Sequence, residues 1–311
     1  MSDSIVIATR ESPLALWQAE HVQALLAKRY PEKDVHLLGI TTKGDRILDK
    51  TLSKIGGKGL FVKELEMAMQ EGAAHLAVHS LKDVPMELPE GFVLAAVSSR
   101  EDPRDAFVSP RYESLESMPA GAVVGTASLR RELMLRSKFP HLTVKPIRGN
   151  VGTRLKKLDA GEFDALVMAS AGLKRLGLQE RIREIISDDI SLPSPGQGAL
   201  GIECLASDEA TRQAVAFIND ERTRACCLAE RAVSRALGGS CQVPLAAYAT
   251  ISDDTMTLRA LVGDHTTSES VFARAVGPWS ESERLAQEVV EDLLKQGAQR
   301  YIEKLLANQQ Q

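Results

Sequence analysis

An α/β chain of two lobes, followed by a small α+β unit, is predicted by three observations. Short apolar runs alternate with helical patterns as far as Cys204, two polar proline-bearing breaks interrupt that alternation, and the pattern changes after Asp220. Ser4 to Thr9 is an apolar run suited to a buried strand, and Arg10-Glu11-Ser12-Pro13 turns the chain into a helical pattern from Leu14 to Lys28. Val35 to Thr41, His75 to His79 and Phe92 to Val97 read as further strands, with a helix over Phe61 to Met69. Such alternation implies a mostly parallel sheet covered by helices. Ser98 to Arg104 breaks the pattern and reads as a crossover. Beyond it, strands at Ala122 to Gly125, Leu142 to Pro146 and Ala165 to Ala169 alternate with helices at Ser128 to Lys138 and Val151 to Leu158.

A second break, Ser191 to Gly198, precedes an apolar strand at Ala199 to Cys204, which returns the chain to the first lobe. The predicted units are 1–98 with 199–219, then 104–193, then 220–311, so that two crossovers form a hinge beside an interlobe cleft. In the last unit a helix from Thr223 to Leu237 places Ala225, Leu228, Ala229, Ala232, Val233, Ala236 and Leu237 on one face, and Gly238-Gly239 stops it. Segments at Pro244 to Thr250, Thr255 to Val262 and Ser270 to Val276 make a three-stranded antiparallel sheet, with Met256, Leu258, Ala260 and Val262 on one face. A helix over Glu281 to Leu294 follows.

With 44% hydrophobic and 26% charged residues, the chain has the composition of a globular protein rather than a disordered one. A net charge of −4 gives no global attraction to nucleic acid or to an anionic membrane, so any anion site is a local gathering of basic residues. No apolar run reaches the length of a membrane span. Four cysteines without zinc spacing, and a start without signal-peptide character, lead us to expect a reducing cytoplasm. No metal site is expected: His75 and His79 have i, i+4 spacing but lie on a strand, which holds them too far apart to share a metal.

The chemistry-bearing segments sit at turns. His79-Ser80-Leu81-Lys82-Asp83-Val84-Pro85 follows a strand, where active sites of α/β sheets are found, although local sequence alone favours Asp83 as a turn cap before Pro85. Arginine gathers at strand-to-helix turns: Arg10 with Ser12, Thr126 and Ser128 with Arg130 and Arg131, Arg148-Gly149-Asn150 with Arg154, and Arg175. Guanidinium groups and helix N-termini hold carboxylates or phosphates, whereas the plain alternative is solvated helix charge. Lys54 to Phe61, with Lys58, is glycine-rich but does not match a nucleotide-binding P-loop. Cys241 is expected on a bend just past a helix, where an accessible thiol can act as a nucleophile, whereas the plain alternative, which the motif alone favours slightly, is a small buried hydrophobe.

The ordered set Ala8 to Ala15, Gly57 to Phe61, Val78 to Pro85, Gly125 to Arg131, Arg148 to Asn150, Pro195 to Gly198 and Gly238 to Cys241 resembles the porphobilinogen deaminase (hydroxymethylbilane synthase) family from the first strand into the third unit. The resemblance implies a cytoplasmic, monomeric enzyme of tetrapyrrole synthesis whose first two units have a periplasmic-binding-protein-like fold. Such an enzyme joins four porphobilinogen molecules with loss of ammonia and releases hydroxymethylbilane by hydrolysis. It implies a dipyrromethane cofactor on Cys241 through a thioether, Asp83 as the catalytic carboxylate, and Arg10, Ser12, Lys58, Ser80, Lys82, Thr126, Ser128, Arg130, Arg131, Arg148, Gly149, Arg154, Arg175 and Gln197 as binding residues. Two rivals follow from the residues alone. An anion-binding module needs no third unit bearing a cysteine, and a cysteine hydrolase needs a histidine base that no motif supplies.

Overall fold

The computed structural model describes residues 4–42, 62–238 and 243–309, so the predicted site residues Lys58 and Cys241 lie outside the described residues. Strands Ser4–Arg10 (β1), Asp34–Ile40 (β2), Leu76–Ser80 (β3), Phe92–Val97 (β4) and Leu200–Leu205 (β10) form one sheet in the order β2-β1-β3-β10-β4. Asp105–Val108 (β5), Val123–Thr126 (β6), Thr143–Pro146 (β7), Ala165–Ala169 (β8) and Glu184–Ile185 (β9) form a second in the order β7-β6-β8-β5-β9. The two orders are equivalent position by position.

Helices Pro13–Arg29 (α1) and Lys63–Gln70 (α2) cover opposite faces of the first sheet. Ile5 and Ile7 of β1 pack with Ala19, Val22 and Leu26 of α1, whereas Ala8 packs with Leu65 and Met69 of α2. Burial on both faces explains why β1 is apolar nearly throughout. The second sheet is followed through Leu129–Lys138 (α3), Val151–Asp159 (α4) and Ser170–Arg175 (α5), and Glu209–Val215 (α6) leads out of β10.

The expectation of mostly parallel sheets holds, with one reversed strand in each. Among β1, β2 and β3, and among β6, β7 and β8, pairing is parallel, but β10 runs antiparallel to β3 and β4, and β5 antiparallel to β8 and β9. The reason lies in how the odd strands arrive. A parallel neighbour is reached by a helical crossover within one lobe, and β5 and β10 instead enter from the other lobe, which leaves their direction free.

The third sheet, Leu245–Ser252 (β11), Thr255–Asp264 (β12) and Glu269–Pro278 (β13), is antiparallel throughout. Met256, Leu258, Ala260 and Val262 are fully buried against Glu221–Ala236 (α7) and Ser282–Lys295 (α8), and Gln299–Gln309 (α9) closes the chain. The face predicted for α7 is wrong in part: Leu228 is 39% exposed, while Glu230 and Arg231 are buried. The helix is wedged between its own sheet and the first lobe, where Cys227 packs with Leu81, Val84, Val97 and Ala199. A single apolar stripe cannot describe a helix buried on two sides.

Glu230 joins both crossovers to this helix. Arg100, in the first crossover, donates from Nη1 and Nη2 to its two oxygens at 2.6 and 3.0 Å, and Gly196, in the second, donates its N–H at 2.7 Å. Ala249 N–H of β11 adds a fourth bond at 2.8 Å, and Arg100 Nε donates to Gln197 O at 2.8 Å. The crossovers touch so closely that a Cβ on Gly198, whose φ is +94°, would lie 2.3 Å from Glu101 O. Only glycine fits there.

Candidate active site

The C-terminal ends of the parallel strands face one another across the lobes. Arg10 ends β1, Ser80 ends β3, and a 3-10 turn over Leu81–Asp83 displays Asp83 next to them. An open pocket of about 480 Å³ brings together Arg10, Ser12, Gln18, His79, Ser80 and Asp83. Ser12 caps α1 without a side-chain capping bond, and Pro13 removes one backbone donor there. Ser80 Oγ accepts from Gln18 Nε2 at 2.7 Å. Asp83 is exposed, and its carboxylate makes no hydrogen bond or ion pair among the described residues.

From the second lobe, Thr126 ends β6 and its Oγ1 accepts from Ser128 N at 3.2 Å, while Ser128 caps α3. Arg148 and Gly149 follow β7, and Asn150 caps α4 by accepting from Thr153 N at 2.9 Å. Gly149 has φ +111° and would crowd Thr153 with any Cβ, and its carbonyl accepts from Arg154 Nε at 2.7 Å. Neither Arg148 nor Arg154 has a carboxylate partner among the described residues. Burial, with Arg131 and Arg148 as like-charged neighbours, pushes Arg154 down to about 10, and Asp83 opposes that shift.

Arg130 and Arg131 are placed differently from the other predicted arginines. Both converge on Asp105, a fully buried carboxylate at the start of β5: Arg130 Nη2 reaches Oδ2 at 2.8 Å and Arg131 reaches Oδ1 from Nε at 3.0 Å and Nη2 at 2.8 Å. Arg130 also donates to Ser191 Oγ and to Leu192 O. Despite desolvation, Arg130, Arg131 and hydrogen bonds hold the Asp105 carboxyl well below the usual range. Gln197 completes the cluster, donating from Nε2 to Asp105 Oδ1 at 2.9 Å and accepting from Arg131 Nη2 at 3.2 Å and Lys82 Nζ at 3.3 Å. Gln197 thus connects Lys82 of the first lobe to Arg131 of the second. Burial pushes the Lys82 ammonium down to about 8, with Asp83 acting against it.

Arg175 is not brought to this pocket. It lines a separate opening at the hinge with Trp17, His21 and Ser99, where its Nη2 donates to Gly198 O at 2.7 Å. Of the residues that the sequence left aside, His79 meets the buried Glu203 at 2.9 Å, and Glu203 Oε1 has no hydrogen-bond partner among the described residues. His75 Nδ1 accepts from Val6 N. Asp105, Glu203 and Glu230 were missed because a buried carboxylate interrupts the apolar pattern without announcing its partner. The signal available was a lone charge inside an apolar run, Glu203 within Ala199 to Cys204.

The three described cysteines are alike in burial. Cys204, Cys226 and Cys227 are buried, which pushes their thiols up to about 11 for Cys204, about 12 for Cys226, and higher still for Cys227. None of these is a ready nucleophile.

Comparison with known proteins is consistent along the whole chain. Residues 5–213 match the family model described as porphobilinogen deaminase, dipyromethane cofactor binding domain, and residues 224–295 match porphobilinogen deaminase, C-terminal domain. A porphobilinogen deaminase of Chromobacterium violaceum is 60% identical over 98% of this chain and 99% of its own, and one of Laribacter hongkongensis is 57% identical over 97% and 98%. Among solved structures, the methionine-binding protein MetQ is similar with TM-score 0.45 and 14% identity over 70% of this chain and 89% of its own.

Proposed function

The chain belongs to the porphobilinogen deaminase family and is an enzyme with a dipyrromethane cofactor domain, and from that premise we propose how its own residues carry the reaction. The activity is stepwise addition of four porphobilinogen molecules, a transferase reaction that releases ammonia at each step and ends with hydrolysis to hydroxymethylbilane. The observation that carries this reading is the pairing of an exposed carboxylate, Asp83, with arginines that have no carboxylate partner among the described residues, Arg148 and Arg154. A polycarboxylated substrate supplies what those guanidiniums lack.

The donor set fits a pyrrolic polycarboxylate. Arg10, Ser12 and the α1 N-terminus offer donors on one side, and Ser128, Arg148, Gly149 and Arg154 on the other. When bound, the dipyrromethane supplies a tethered primer with a free pyrrole position. Cys241 is its anchor in this reading, supported by the burial of Cys204, Cys226 and Cys227. Asp83 opposes the positive charge that develops on the substrate as ammonia departs, accepts from pyrrole N–H, and takes up the proton lost from carbon. Lys82 holds a substrate carboxylate, and Arg131, fixed by Asp105, lends a positive field. Arg130 acts through that same cluster, Gln197 borders the cleft, and Lys58 contributes to binding in this reading.

We further read the chain as three units, 1–98 with 199–219, 104–193 and 220–311, acting as a cytoplasmic monomer, with no nucleic-acid or membrane partner in this reading. Intact-mass measurement tests the core of the proposal. Active protein should carry a pyrrolic adduct on Cys241 and gain successive substrate masses during turnover, and an unmodified polypeptide with full activity would sink it.

The Lys82 side chain gives a pH dependence. Its ammonium is present below about 8 and lost above, so kcat/KM should fall as pH rises through that value. Lys82→Arg, which stays charged, should move the fall to higher pH. An unchanged alkaline limb in that variant would remove Lys82 from carboxylate binding.

A further inference from the structure

Behind the turn that displays Asp83 lies a buried cation. Arg231 of α7 is 4% exposed, yet its guanidinium meets no carboxylate among the described residues. Its donors go to backbone carbonyls instead: Nη1 to Val84 O at 3.0 Å and to Leu81 O at 3.5 Å, and Nη2 to Pro85 O at 2.6 Å. One helical turn on, Arg235 Nη2 donates to Met86 O at 3.2 Å. The carbonyls on both sides of Asp83 are therefore held from the third unit. A guanidinium buried without a counter-ion is costly, so its three hydrogen bonds to one short turn call for an account.

We propose that Arg231 is a positioning residue for Asp83, fixing the Leu81–Asp83 turn to the helix that precedes Cys241 in the sequence. The inference rests on the role proposed for Asp83. Leu81 N donates to Ala199 O at 3.0 Å, Val84 N donates to Leu81 O at 3.2 Å, and the Leu81 and Val84 side chains are buried, while Arg231 ties the Leu81, Val84 and Pro85 carbonyls to α7. Arg231 adjoins Glu230, whose carboxylate fastens the same helix to both crossovers. The helix ends at Ala236, and Gly238, three residues before Cys241 in the sequence, reverses the backbone at φ +91°. Asp83 and the last helical residues before the tether thus belong to one rigid piece. Stabilising a transient charge demands such fixity, because a displacement of about 1 Å can cost roughly a hundredfold in rate.

The test uses holoenzyme, with rates expressed per cofactor-bearing chain. Arg231→Gln should lower kcat by about tenfold or more with KM within about twofold, and Arg231→Lys, which keeps the charge and one bond, should recover part of the loss. Combined with Asp83→Asn, Arg231→Gln should lower single-turnover rate no further, since a residue acting through Asp83 has nothing left to position. A kcat within twofold of the parent, or a loss that multiplies with that of Asp83→Asn, overturns the inference. If Arg231→Gln does not fold, Arg231→Lys is read by the same two criteria. Near-normal turnover by Asp83→Asn alone would instead refute the role of Asp83, a separate outcome.

Discussion

Asp83→Asn is expected to lower kcat by about a hundredfold or more, the scale on which a single preorganised electrostatic contact acts in other enzymes. The substitution nearly preserves shape and removes only the charge. Because the Asp83 carboxylate makes no hydrogen bond or ion pair among the described residues, fold stability should change by no more than about 0.5 kcal/mol. Binding should persist, since Arg148 and Arg154 are untouched. Asp83 also supports the Lys82 charge, so its removal should shift the alkaline fall of kcat/KM to lower pH. Ammonia release measured per holoenzyme chain decides the matter, and a kcat within about threefold of the parent would refute the assignment.

Glu230→Ala should destabilise the protein by about 3–5 kcal/mol, because it strands the Arg100 guanidinium and two backbone N–H groups in a buried place. Removing both charges with Arg100→Met and Glu230→Leu should cost clearly less than the sum of the single changes, since no lone charge remains. Urea unfolding monitored by far-UV circular dichroism gives the comparison. A loss below about 1 kcal/mol for Glu230→Ala would mean that water reaches Arg100 and that the hinge node contributes little.

Local pattern carried most of the fold. The apolar runs of β1, β4 and β8, and the alternation Met256, Leu258, Ala260, Val262, are signals contained within one element, and the structure places each where the pattern indicates. The reversed direction of β5 and β10 was not legible, because each enters its sheet from the other lobe rather than by a crossover within its own. The short β9 and the six-residue α5 offer too few residues to reveal a period. For the site, turn position and residue type singled out Asp83, Arg148 and Arg154. The same cues grouped Arg130 and Arg131 with them, although their donors converge on Asp105. Nothing in Gly125 to Arg131 reveals that partner, since the carboxylate lies in the first crossover's exit, 25 residues from Arg130. Arg231 was hidden in the same way, as a charge on what periodicity presents as the outer face of α7.

The exchange of odd strands also sets an order of assembly. The second sheet is drawn entirely from Asp105 to Ile185, so all of its strands are available once that stretch has left the ribosome. The first sheet is not so placed, for β3 and β4 have no direct pairing and stay apart until β10 is threaded between them. Vectorial synthesis therefore delivers a finished second lobe while the amino-terminal lobe is still an open sheet with a waiting slot, and long-range closure of this kind is slow. The lobe made first is the lobe completed last.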